Sequence, residues 1–62
     1  MESIKIEGVA KYTGIYVNTV SKDVWINVVL SNGSANLSIT PENAEKLIEA
    51  IRIAIGEVEY AS

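Results

Sequence analysis

The sequence predicts an α+β fold, a four-stranded antiparallel meander sheet packed on one C-terminal helix (ββββα), with residues 1–62 forming one small domain. Three observations carry that reading. Short β-branched segments alternate between turn residues, Asn32-Gly33 separates two apolar runs, and Thr40-Pro41-Glu42 opens a long stretch of helical periodicity.

Ser3 to about Ala10 alternates Ile4 and Ile6 against Lys5 and Glu7 before Gly8 blurs the phase, and reads as the first strand. Ile15 to Val20 follows Thr13-Gly14 and supplies the second. Val24 to Leu30 is the third, apolar on both faces. A four-residue loop, Val20-Ser21-Lys22-Asp23, pairs Thr19 with Val24, Val17 with Ile26 and Ile15 with Val28, so that their apolar side chains share one face; an odd loop would set Asn18 beside Ile26. Asn32-Gly33 fits a type I′ turn, whose two central residues need positive φ. That turn predicts Leu30 opposite Ala35, Val28 opposite Leu37 and Ile26 opposite Ile39, with a fourth strand ending at Ile39.

Thr40 can accept a hydrogen bond from a free amide of the first helical turn, and Pro41 fits the first helical position because its missing N–H is not needed there. Glu42 suits the positive end of the helix dipole. Ala44, Leu47, Ile48, Ile51, Ile55 and Val58 then form one stripe with Ala54 at its edge, while Glu42, Glu45, Lys46, Glu49 and Arg52 face water. Gly56 is expected to fray the helix or cap its end. The stripe is expected to bury itself on the sheet face made by Ile15, Val17, Ile26, Val28, Leu37 and Ile39.

Two features fall outside this core. Ile53 sits about 180° from the stripe centre by the helical period of 3.6 residues, and the second sheet face carries Tyr16, Asn18, Trp25, Asn27, Val29, Asn36 and Ser38. An aromatic pair among amides offers stacking surface and hydrogen-bonding groups together, and Tyr and Trp dominate interface energetics. Tyr16, Asn18, Trp25, Asn27, Val29, Asn36 and Ile53 are therefore the candidate interface or ligand residues. The same pattern also fits self-association, a foreign partner, or side chains that merely pack on one another.

Composition narrows the chemistry. The chain has no His and no Cys, which removes Ser-His-Asp and Cys-His constellations, the common zinc donors and disulfides. Glu42, Glu45 and Glu49 share a helix face with Lys46 and Arg52 and read as a solvated charged surface. The glycines Gly8, Gly14, Gly33 and Gly56 are scattered, without the cluster that cradles a phosphate. No catalytic residue, metal site or cofactor is expected, and the chain reads as a non-enzyme. Five basic against eight acidic residues leave a net charge of −3, which disfavours general DNA or RNA binding. The N-terminal residues carry no signal-peptide pattern and no segment reaches the roughly 20 apolar residues of a membrane helix, so a cytoplasmic protein is expected. A domain below about 70–80 residues rarely draws more than about 3–5 kcal/mol from one core, so a homo-oligomer is expected as the source of further stability.

The segment from Leu37-Ser38-Ile39-Thr40-Pro41-Glu42 through Ile51 resembles the strand-"LTPEqA"-helix ending of many short bacterial and phage α+β proteins of uncharacterised role. In size and acidity the chain is similar to phage counter-defence factors, which act by binding a host protein or by sequestering a signalling nucleotide. The resemblance implies an α+β fold, and with the small core and the apolar residues outside it the expectation is a non-catalytic, homo-oligomeric interaction module that works by occupying a partner protein, as a phage or host-takeover inhibitor would. The alternatives it leaves are a sponge for a small nucleotide-like ligand at a subunit junction, stacking a base on Trp25 or Tyr16, and a structural subunit of a larger assembly.

Overall fold

The computed structural model describes residues 1–61, in the order β1 (Ile4–Glu7), β2 (Gly14–Val20), β3 (Asp23–Leu30), β4 (Gly33–Ile39) and α1 (Pro41–Ala61). The strands form one antiparallel meander, β1-β2-β3-β4, followed by the helix. This is the predicted ββββα architecture. β1 is shorter than its alternation suggested, because Gly8–Thr13 leaves the ladder as a loop closed by Gly8 N–H to the Thr13 carbonyl at 2.9 Å and Thr13 Oγ1 to the Ala10 carbonyl at 2.6 Å.

Between β2 and β3 the predicted pairs Thr19 with Val24, Val17 with Ile26 and Ile15 with Val28 all occur. The loop itself is only Ser21-Lys22, since Val20 and Asp23 also pair. Ser21 takes φ 58°, the positive value that a II′ turn needs at its first central position.

The β3–β4 hairpin differs from expectation by two residues. Leu30 pairs with Gly33, Val28 with Ala35, Ile26 with Leu37 and Val24 with Ile39, so the loop is Ser31-Asn32 and not Asn32-Gly33. Of these three residues only Gly33 has positive φ, at 151°. The reason lies downstream. The predicted register would have set Thr40 opposite Trp25 and Pro41 opposite Val24, spending the helix start on a ladder to which proline cannot donate. A slip of two residues keeps every side chain on its predicted face and releases Thr40 for capping. Its Oγ1 accepts from Asn43 N–H at 3.2 Å and its carbonyl from Ala44 N–H at 2.9 Å.

The apolar sheet face holds Ile4, Ile6, Ile15, Val17, Val24, Ile26, Val28, Leu30, Leu37 and Ile39, with Thr19 as its one polar side chain between paired strands. The expected burial of the helix stripe on this face does not occur: among the described residues no hydrophobic side chain is fully buried. Between this face and the helix stripe only Val17, Val24, Ile26, Ile39 and Ala44 are half-buried, around the place where the first turns of α1 meet β3. The physical reason is length and attachment. A 21-residue helix is about 31 Å long, whereas four strands span only about 14 Å and the longest strand about 26 Å. Joined to β4 through Thr40 alone, the helix covers one end of the sheet and then leaves it.

Gly56, expected at a helix end, lies inside α1, which continues to Ala61. No helix among the described residues is long and apolar enough to cross a membrane.

Two glycine substitutions test these local readings. A Cβ at Gly56 would meet nothing within 4 Å, so Gly56→Ala should stabilise the chain by about 1 kcal/mol and raise its thermal midpoint by about 4–8 °C, read by circular dichroism. A Cβ at Gly14 would lie 2.8 Å from the Ile6 carbonyl oxygen of the paired strand. Gly14→Ala should therefore cost about 1–3 kcal/mol in chemical denaturation by pushing β1 off the sheet.

Candidate functional site

Two surfaces stand out, one on each side of the sheet. The side away from the helix is built in cross-strand rows. Lys5, Tyr16, Asn27 and Asn36 form one row; Asn18, Trp25 and Ser38 a second; Glu7, Gly14, Val29 and Ser34 a third. Six of the seven candidate residues, Tyr16, Asn18, Trp25, Asn27, Val29 and Asn36, are thus brought together on one face. Ile53 is not among them: it lies on the helix, more than half exposed.

Trp25 is half-buried in the centre of this face, flanked in register by the amide of Asn18 and the hydroxyl of Ser38. Asn18 already has partners. Its Nδ2 donates to Ser3 Oγ at 2.8 Å and its Oδ1 accepts from the Thr19 backbone N–H at 2.7 Å, so this amide ties the N-terminal segment to β2. Asn27 and Asn36 stand opposite each other, and they present a pair of amides beside Tyr16.

At the β1 edge a recess of about 190 Å³ opens among Lys5, Tyr12, Thr13, Gly14, Tyr16 and Val29. Tyr12 rims it with φ 62°, a left-handed conformation that costs a non-glycine residue about 1–2 kcal/mol. Lys5 Nζ lies 5.8 Å from the centre of the Tyr16 ring and 3.4 Å from Glu7 Oε1. The hydrogen bond to Glu7, followed by the charges of Glu7 and Tyr16, holds the Lys5 ammonium above its ordinary pKa. Among the described residues the one cation paired into this face is therefore engaged with a carboxylate. The recess is also smaller than the roughly 300–1,000 Å³ of a typical ligand pocket.

The second surface lies under the helix and was not anticipated. An open groove of about 390 Å³ runs between Val17, Val24 and Ile26 of the sheet and Pro41, Ala44, Leu47, Ile48 and Ile51 of the helix, with Glu45 the only charged residue in its walls. Beyond it the apolar face continues through Ile15 and Val28, each more than a third exposed, to Ile6 and Leu37, each more than half exposed. The signal was present in the sequence as helix length: an apolar stripe reaching Val58 is longer than the sheet meant to receive it. Among the described residues no three carboxylates come together as a cluster.

Comparison with family models, with curated proteins and with solved structures gives no match. The functional reading therefore rests on the residues themselves.

Because Trp25 points away from the helix and is only half-buried, Trp25→Ala should preserve the circular dichroism spectrum. Its stability cost should be at most about 1–2 kcal/mol, against the 3–5 kcal/mol of a core tryptophan. Collapse of the fold in that variant would make Trp25 a core residue.

Proposed function

We propose that the chain is a non-catalytic, self-associating interaction module that acts by holding a partner protein on the Trp25 face. One observation carries the reading. The sheet offers two differently constituted surfaces, a partly covered and nearly uncharged apolar face and an opposite face where Trp25 and Tyr16 stand among amides. A large aromatic with hydrogen-bonding groups around it is the composition of an interface anchor and its rim. The face is open and presents rows of side chains rather than a deep pocket, which suits a protein surface better than a small molecule. Engagement of Lys5 by Glu7 and the small volume of the adjoining recess favour the protein partner over the nucleotide sponge. Host-directed inhibition, as in phage counter-defence factors, is the biological setting that this reading suggests.

Native mass spectrometry of the chain purified from its own cells tests the proposal. The expected spectrum contains more than one copy of the chain together with a co-purifying polypeptide, and Trp25→Ala should lose that polypeptide. A bare oligomer would point to a structural subunit, and an added small mass to a ligand sponge; either would overturn the reading.

A further inference from the structure

The amount of surface left open is too large for a chain that works alone. A folded monomer of 6.7 kDa should expose about 3,900 Å², whereas this chain exposes 5288 Å². The excess is about 1,400 Å² per chain. The radius of gyration agrees: 13.1 Å against about 10.6 Å for a compact domain of this length. Two copies burying that excess against each other would remove about 2,800 Å² in total, inside the 2,000–5,000 Å² range of obligate homodimers.

Position is as informative as amount. Along the helix stripe, exposure climbs from 41% at Leu47 to 69% at Val58, so cover is lost progressively toward the C-terminal end. That end is also intrinsically weak as a helix. It contains Gly56 and the β-branched Ile51, Ile53, Ile55 and Val58, and Glu57 and Glu59 stand at the negative end of the dipole with no basic residue in the last turn. Helices of this composition persist through packing of their apolar face. The sheet has a matching vacancy. Val17, Val24, Ile26 and Ile39, near the start of α1, are half-buried, while Ile6, Ile15, Val28 and Leu37 are exposed and carry no charged neighbour on their face.

We propose that a second copy of this chain covers this surface. In a two-fold dimer the C-terminal half of α1 in each protomer, Ile51 through Val58, lies on the uncovered end of the other protomer's sheet. The arrangement is self-complementary, because each chain supplies both the surplus helix and the vacant sheet. A foreign occupant would have to bring both a helix-binding and a sheet-binding surface; a second copy has both. The inference rests on the self-associating module proposed above and states where it associates, which leaves the Trp25 face on the outside of the dimer.

Sedimentation and light scattering from micromolar to millimolar chain should give the mass of two chains. Ile55→Glu buries an unpaired carboxylate in the proposed contact and should weaken association by more than about a hundredfold, whereas Trp25→Ala should remain a dimer. Where Ile55→Glu fails to fold, cross-linking decides. The chain has no native cysteine, so Val28→Cys and Ile55→Cys chains expressed together and oxidised should give chiefly the mixed disulfide. A one-chain mass at every concentration, a dimer indifferent to Ile55→Glu, absence of the mixed disulfide, or dissociation by Trp25→Ala would overturn the proposal. The two proposals fail separately. A dimer of this kind that retains no polypeptide from its cells refutes partner binding and leaves the dimer standing, and a single chain bound to a foreign polypeptide refutes self-association and leaves partner binding standing.

Discussion

One residue separates the last strand from the helix, and the geometry of that connection governs the rest of the molecule. Thr40 caps α1 through its Oγ1 and starts it immediately after Ile39 leaves the sheet, so the helix has no length of loop in which to change direction. It meets the half-buried group Val17, Val24 and Ile26 and proceeds beyond it. Helix and sheet are each apolar on facing sides, yet their footprints do not coincide. The capping interaction that makes the helix start so well defined is therefore also what leaves an apolar face open.

This has a direct thermodynamic consequence. Folding the chain costs conformational entropy on the order of 1–2 kcal/mol per residue for the backbone alone, and burial of apolar surface is the principal offset. Here that burial is partial throughout, and among the described residues only Gly14 is buried. The sheet's local order owes much to its short hairpins, Ser21-Lys22 and Ser31-Asn32, and to tight backbone approach at Gly14. Any stability supplied by association depends on chain concentration, because binding that selects the folded state stabilises it by mass action.

The two sheet faces are chemically suited to different work. The face under the helix is almost free of polar groups, the composition of a permanent interface resembling a core cut in half. The opposite face combines Trp25 and Tyr16 with Asn27, Asn36 and Ser38, and its polar groups keep it compatible with water. Alternation along a strand with period two makes this division possible in so few residues. Val29 shows how narrowly the division is drawn: it is apolar but falls on the amide face between Gly14 and Ser34.

The fold class, the number and order of the elements, the face on which each strand residue lies, and the capping of the helix by Thr40 were all legible in the sequence, since each follows from local chemistry with a fixed period. The clustering of Tyr16, Trp25, Asn27, Val29 and Asn36 was legible for the same reason. The hairpin register was not, because Asn32-Gly33 and Ser31-Asn32 loops preserve the same faces and only competition with the start of α1 separates them. Gly56 looked like a helix end, although one glycine costs only about 1 kcal/mol and does not terminate a helix by itself. What the tertiary structure alone decided is how much of the apolar surface finds cover. The sequence determines that α1 has an apolar stripe and the sheet an apolar face, but their overlap depends on helix length, sheet width and the single-residue connection acting together in three dimensions.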